Sequence, residues 1–268
     1  MDQGQERIYA ELLEANVAEL PYFRGFLRAV EARFYQAIDL PQPVLDMGAG
    51  DGHFAARTFK RKIEVGLDPA LVSLNEAKGF DAYDLLINSL GNRIPCKAGC
   101  FASVISNSVL EHIPDVDAVL IEIYRILQRG GKLVITVPND RFTQNLSIAL
   151  FFEKCGLKRM ADAYRRWFNR ISRHYHPDAP EQWQKRLEDA GFQIREKWNY
   201  FPPKSLRILE WGHYFGLPNW INKKILGRWV VFPRIGYNRI IYCKLLKIYS
   251  QEQKAPDGAY SLFVAQKV

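Results

Sequence analysis

Three glycines at alternate positions, with an aspartate two residues before the first, form the part of this chain best suited to hold a ligand: Asp46-Met47-Gly48-Ala49-Gly50-Asp51-Gly52. Gly48, Gly50 and Gly52 can take positive φ, and without Cβ they let a ligand lie against the backbone. The helical pattern opening near His53 would aim free N–H groups and a partial positive charge at the same place, which suits a carboxylate. Asp68 lies 18 residues beyond Gly50 and closes a second short apolar run. At the tip of a second strand such an acid can accept both hydroxyls of a ribose, or it can cap the helix that follows. The spacing is G-x-G-x-G, not the G-x-G-x-x-G of dinucleotide loops, and no Gly-Lys-Ser/Thr follows as a phosphate loop requires. Further along, His112, His174 and His176 are candidates to take a proton from a reacting group. His174 and His176 at i, i+2 have ligating chemistry, but no third ligand falls at a matching spacing, so no metal site is expected.

With these residues in this order, the sequence resembles class I S-adenosylmethionine (SAM)-dependent methyltransferases, specifically the type 11 group. The resemblance runs through the D-x-G-x-G-x-G loop, through Glu64–Pro69 with Asp68, and through Leu85-Leu86-Ile87-Asn88-Ser89-Leu90 followed by Ile94-Pro95. It continues in Val104–Asn107 with the turn Leu110-Glu111-His112, and in Arg125 to Leu133, which reads R-x-L-x-x-G-G-x-L. It implies SAM as cofactor. Asp46, Gly48, Ala49, Gly50 and Gly52 would lie along its methionine and ribose parts, Asp68 and Pro69 at the ribose, and Asn88, Ser89 and Leu90 near the adenine. Ser106 and Asn107 complete the set, and Arg24 could meet the SAM carboxylate, a solvated helix face being its other reading. Two departures stand out. Asn88 is an amide where the family usually has an acid, and Phe101-Ala102 replaces the frequent Phe-Asp. His112 belongs to the family's turn after the fourth strand, where it would act as a base or cap the turn through a backbone hydrogen bond. The sulfonium makes the methyl group electrophilic by itself, so such a protein must align a nucleophile, exclude water and sometimes remove a proton.

The elements that must hold these residues follow from periodicity. Residues 5–38 read as two helices broken at Pro21, with apolar faces carried by Leu12, Leu13, Val17 and Leu20, then by Phe23, Phe26, Leu27, Val30 and Phe34. Strands are expected at 43–47, 63–67, 83–87, 102–107 and 131–137, and helices at 53–60, 70–78 and 116–127. Gly130-Gly131 would form the C-cap of the last helix. A helix at 180–190, a strand at 192–200 and a final strand at 258–267 complete the pattern. Such alternation specifies an α/β, doubly wound, mostly parallel sheet. The resemblance makes it a seven-stranded Rossmann-like methyltransferase fold with an antiparallel last strand, N-terminal helices and a helical cap inserted before that strand. The expected units are an N-terminal helical cover (1–40), a SAM-binding core (41–200 and 258–268) and a basic aromatic cap (201–257). Two extra segments, 139–179 and 201–257, would both leave from the carboxyl edge of the sheet, where ligands bind.

The chain has 268 residues, 48% hydrophobic content and mean hydropathy −0.22, enough for one large α/β core or two small ones. Cys96, Cys100, Cys155 and Cys243 form neither a metal pair nor a dense disulfide pattern, as in a reducing compartment. No basic and apolar leader opens the sequence, and no apolar run reaches spanning length, so a cytoplasmic protein is expected. Residues 201–250 contain nine Lys and Arg against Glu210 alone, a net +8 that equals the net charge of the whole chain. With Trp211, Trp220 and Trp229 in the same stretch, the cap suits an anionic membrane surface, including the inner membrane face, or a phosphate-bearing lipid or glycan. An ordinary cap with solvated lysines is the other reading. Nucleic acid ranks below these, because Ser106-Asn107-Ser108-Val109 replaces the Asn/Asp-Pro-Pro-aromatic loop of base-methylating enzymes. The expected function is methyl transfer from SAM to an O, N or C nucleophile of a small-molecule, glycan or lipid-linked methyl acceptor. The alternative is a SAM-binding, membrane-associated interaction module without transfer. Monomer and homodimer are both compatible with the composition.

Overall fold

The short apolar runs pair as one seven-stranded sheet in the order β3-β2-β1-β4-β5-β7-β6. Its strands are β1 Val44–Met47, β2 Ile63–Asp68, β3 Tyr83–Asn88, β4 Phe101–Asn107, β5 Leu127–Pro138, β6 Phe192–Tyr200 and β7 Tyr260–Lys267. The first five run parallel, and β7 lies antiparallel between β5 and β6. The arrangement is the expected Rossmann-like sheet, reversed last strand included. A computed structural model of the chain describes residues 3–215 and 236–268, with side chains described over 7–214 and 241–268.

Helices cover both faces, which is why β1 is buried along its whole length, Asp46 included. They are α1 Gln3–Glu19, α2 Tyr22–Ala37, α3 His53–Thr58, α4 Leu71–Ala77, α5 Val116–Ile126, α6 Arg141–Gln144, α7 Ser147–Lys154, α8 Lys158–Ser172, α9 Pro180–Asp189, α10 Pro203–Phe215 and α11 Gly236–Tyr249. On one face, Phe26 and Val30 of α2 join Ile105, Val134 and Leu262 of the sheet, together with Phe142, Phe168, Leu206 and Tyr249 from the two inserted segments. On the other face, Val119, Leu120 and Ile123 of α5 and Trp183 and Leu187 of α9 pack against Leu45, Val104, Leu133 and Phe263.

One expectation is corrected. Gly130-Gly131 does not cap α5. The helix stops at Ile126, and Leu127 turns extended and pairs with Phe101, so that β5 begins several residues earlier than predicted. Gly130, at φ 76°, instead carries an irregularity inside the strand, and a Cβ on Gly131 would meet the Gln128 carbonyl oxygen at 2.8 Å. Pairing with β4 outcompetes a helical C-cap here, because it satisfies the same backbone groups while burying Leu127.

Winding runs from β1 outward through β2 to β3, and from β4 outward through β5 the other way. The crevice between β1 and β4 is therefore the switch point, where ligands bind at the carboxyl ends of the strands. Both inserted segments leave from that edge. The helices α6 to α8 follow Pro138, while α10 and α11 lie between Tyr200 and Tyr260, which pair with each other. Trp220, Lys223, Lys224, Arg228, Trp229 and Arg234 of the basic stretch lie outside the described residues, as does the side chain of Arg239.

Candidate active site

The glycine loop turns tightly where β1 ends. Gly48 and Ala49 both donate to the Leu67 carbonyl, at 2.8 and 3.0 Å, tying the loop to β2. Gly48 has φ 86°, and a Cβ there would meet the Val109 methyls at 2.5 Å, so the close approach of the loop to the turn after β4 requires glycine. Gly50 has φ 55°, yet a Cβ on it would meet nothing within 4 Å. Its missing side chain faces a cavity of about 520 Å³ lined by Asp46, Ala49, Asp51, Phe54, Asp68 and Asn107. Gly52 stands behind the loop as the N-cap of α3. The first helical N–H of α3, at His53, is met by Asp51 Oδ1 at 3.2 Å, so a donor expected to face a ligand already serves the loop.

Asp68 is fixed by two backbone donors. Oδ1 accepts from Ala70 N at 2.8 Å at the start of α4, and Oδ2 accepts from Gly50 N at 3.0 Å, which brings the carboxylate to the glycine loop. Asp46 is buried beneath the same cavity. Burial raises its carboxyl to about 6, partly offset by the Tyr83 hydroxyl, which donates to it at 2.7 Å. Asn88 donates to the carbonyls of Asp68 and Pro69 at 3.0 and 2.9 Å, a role the family's usual acid could not take. Pro69, Asn88, Ser89 and Leu90 lie outside the lining of this cavity; Ser89 donates to the Arg93 carbonyl at 2.7 Å, and Leu90 is exposed. Ser106 is buried behind it.

A second cavity, of about 640 Å³, adjoins the first. Its walls are largely apolar, with Phe23, Leu27, Phe142, Ile171, Leu209 and Tyr260, and its polar groups include Glu111, His112, His174 and His213. Arg24, Arg28, Ser108 and His112 line both cavities and so stand where they meet. Two of these are held by Glu31, a fully buried carboxylate on α2. It accepts from Arg28 Nη1 (2.8 Å), Asn107 Nδ2 (2.9 Å), Ser108 Oγ (2.8 Å) and the Tyr200 hydroxyl (3.0 Å). Four donors from three elements thus converge on one anion, as a buried charge requires.

The histidines separate. His112 Nδ1 lies 3.0 Å from the Arg173 carbonyl; only an N–H can pair there, so Nε2 is left as the acceptor, 3.7 Å from Glu111 Oε1. His174 packs beside it with ring centroids 5.4 Å apart, brought there because Tyr175 N donates to the Glu111 carbonyl at 2.8 Å. His176 lies elsewhere. Its Nε2 is 3.0 and 3.1 Å from the carbonyls of Ile113 and Pro114, its ring packs on Trp183, and it does not line the cavity. Burial pushes His174 down to about 3 and also lowers His112, so both rings are neutral at pH 7. Burial pushes the Glu111 carboxyl up to about 8. Glu111 Oε2 and His174 Nδ1 are buried without a hydrogen-bond partner. Ligand-capable atoms of Glu111, His112 and His174 lie within 4.8 Å of one another, a set that could also receive a divalent cation.

Sequence reasoning passed over Arg28, Glu31, Ser108 and Glu111. Two carried a signal. Glu31 falls among Leu27, Val30 and Phe34 on a helix face otherwise apolar, and Glu111 sits inside the Leu-Glu-His turn itself.

The polar lining of the first cavity suits SAM. Asp46, Asp51 and Asp68 can face its ammonium, sulfonium and ribose hydroxyls, Arg24 and Arg28 its carboxylate, and the bare backbone at Gly50 leaves room for it.

Comparison with known proteins agrees with this chemistry. The family described as "Methyltransferase domain" matches residues 19–197. The mitochondrial ubiquinone biosynthesis O-methyltransferase of Mus musculus is 26% identical over 141 residues, 49% of this chain and 38% of its own length. The ubiquinone biosynthesis O-methyltransferase of Xanthomonas oryzae pv. oryzae is 30% identical over 102 residues, 36% of this chain and 43% of its own length. The chain thus matches less than half the length of either relative. Among solved structures, a SAM-dependent methyltransferase from Thermotoga maritima shares the fold with TM-score 0.56 at 15% identity, covering 91% of this chain and 90% of that one. Geranyl diphosphate C-methyltransferase from Streptomyces coelicolor A3(2), solved with Mg2+, geranyl diphosphate and S-adenosyl-L-homocysteine, shares it with TM-score 0.55 at 15% identity, covering 92% and 84%.

Proposed function

This chain belongs to the methyltransferase-domain family and is a SAM-dependent methyltransferase, and from that premise we propose that it methylates a hydroxyl carried on an apolar body, aromatic or lipid-linked, held in the 640 Å³ cavity. The observation that carries this reading is the shared wall. Arg24, Arg28, Ser108 and His112 line both cavities, so a donor in one and an acceptor in the other meet beside the free Nε2 of His112. When bound, SAM supplies an electrophilic methyl group. On this reading Asp46, Gly48, Ala49, Gly50, Asp51 and Asp68 hold the cofactor, with Asp68 at the ribose and Arg24 or Arg28 at the carboxylate. Phe23, Phe142 and Tyr260 hold the acceptor body and exclude water. His112 Nε2 accepts the hydroxyl proton, and the Arg173 carbonyl at Nδ1–H steadies the imidazolium that forms. The two ubiquinone biosynthesis O-methyltransferases, named for transfer to oxygen, support the same choice of nucleophile.

The test is conversion of SAM to S-adenosylhomocysteine with phenols carrying apolar substituents and with cell lipid extracts. His112→Gln is expected to lower turnover by roughly 10²–10⁴-fold, the usual contribution of a general base, while SAM affinity is kept. SAM binding without turnover on any phenol or extract would return the protein to the role of a SAM-binding interaction module.

A further inference from the structure

The inserted helices show a surface that the methyl-transfer reading leaves unexplained. Of the fifteen large hydrophobic residues exposed among the described residues, seven fall between 150 and 175, about a tenth of the chain. Phe151 is 61% exposed, Met160 49% and Trp167 43%.

These side chains share one face. Phe151 lies one turn beyond Ser147 on α7, and Met160, Trp167 and Ile171 recur at helical spacing along α8. Trp211 of α10 donates its indole N–H to Ser147 Oγ at 3.1 Å, and Tyr214 of α10 stacks on Trp167 with centroids 6.1 Å apart. Three helices are thus joined into one aromatic surface. Beyond Trp211 it runs into a groove of about 620 Å³ between α10 and α11, whose apolar floor is flanked by Lys204, Arg207 and Lys244.

The charge around this face has one sign. Arg165 takes both acids of the α7–α8 hairpin, Glu153 at 2.7 Å and Asp162 at 3.5 Å. Lys154, Lys158, Arg159, Arg166, Arg170 and Arg173 remain, all exposed, and none forms an ion pair among the described residues. Exposed Phe, Met and Trp ringed by cations on an amphipathic helix match a bilayer interface, where apolar groups enter the acyl boundary and cations meet lipid phosphate. No described helix is long and apolar enough to cross a membrane, so the contact is peripheral.

We propose that the α7–α8 hairpin and the adjoining face of α10 form a docking surface for an anionic lipid bilayer, with the acceptor cavity opening at its margin. Ile171, Ser172 and Arg173 end α8 and line that cavity, so a docked protein would present its mouth to the membrane. The proposal goes beyond the choice of acceptor, and its test needs neither SAM nor acceptor.

The full chain is floated with vesicles of 70% phosphatidylcholine and 30% phosphatidylglycerol, and with pure phosphatidylcholine, at 0.1 M and 0.5 M salt. Binding is expected to the anionic vesicles at low salt and to weaken at high salt by screening. Arg159→Gln/Arg166→Gln/Arg170→Gln should bind about 100-fold more weakly, at about 1 kcal/mol per surface cation and 1.4 kcal/mol per tenfold. Phe151→Ser/Met160→Ser should bind about tenfold more weakly at unchanged charge. SAM binding by each variant, measured by calorimetry, shows that it is folded. Failure of the unaltered chain to float with anionic vesicles at low salt overturns the proposal, as does unchanged flotation of the triple variant. Loss of binding to single-stranded DNA by the triple variant, with no vesicle binding in the unaltered chain, would assign the cations to nucleic acid instead.

Discussion

Asp68 is hydrogen-bonded to the glycine loop, and Glu111 is buried in the wall of the second cavity. Asp68 already accepts from Gly50 and Ala70, so a ribose would share a carboxylate that is held in place beforehand. Asp68→Ala should weaken SAM binding by roughly 1–3 kcal/mol, the cost of leaving buried hydroxyls unpaired. Gly50→Val should abolish it, since the added side chain would project into the cavity at a backbone angle valine avoids. Calorimetry on the two variants checks both, and wild-type affinity in Asp68→Ala would remove the ribose assignment. Glu111 makes a pH prediction. Its carboxyl is raised from 4.5 to about 8 in the folded protein. Between those values the folded state holds a proton that the unfolded state has lost, so stability is full at low pH and declines as pH rises toward 8. Glu111→Gln should remove that decline, by up to about 1.4 kcal/mol per pH unit within the window. Melting temperatures of both proteins from pH 5 to 8.5 test it; parallel curves would show that Glu111 is not held protonated.

At the scale of elements, the side chain of Glu31 joins α2 to two strands of the sheet. Glu31 ties it to the end of β4 through Asn107 and Ser108, and to β6 through Tyr200. Glu31→Ala would leave those donors and Arg28 facing a void. The expected loss is about 3–5 kcal/mol of stability, as for a buried ion pair broken on one side. SAM affinity should fall with it, because Arg28 and Ser108 stand between the two cavities. Denaturant midpoints and calorimetry read the two effects separately, and a change under 1 kcal/mol would mean the donors find other partners. The cap of α5 shows the limit of local rules. A Gly-Gly pair after an amphipathic helix is a sound stop signal, yet β4 lay alongside and drew Leu127 into the sheet first.

For the whole molecule, the site is enclosed by parts distant in sequence: α2 from the N-terminus, the glycine loop, the turn after β4, and both inserted segments. A ligand bound there contacts only the folded chain and must stabilise it. SAM at a hundred times its dissociation constant should add about 2.7 kcal/mol. For a chain of this size that is roughly 5–10 °C in melting temperature. Differential scanning with and without SAM checks it, and an unmoved transition would contradict cofactor binding by the folded protein.

What the amino-acid sequence determined by itself is what short-range physics governs. The glycine spacing marks a strand-turn-helix, Asp68 ends the second apolar run, and alternating periodicities predict a doubly wound sheet with its ligand edge. Each depends on residues within one turn, one strand or one crossover. Even the division of the basic residues could be counted there. Tertiary structure decided the rest, because it depends on which distant residues become neighbours. Glu31 meets Tyr200 across 169 positions. His112 and His174 converge while His176 turns away to Ile113 and Pro114. Solvent exposure is likewise set by neighbours rather than by residue type: Phe168 is fully buried and Trp167 beside it is 43% exposed, so the apolar face of α8 could be told from core only once the chain had folded.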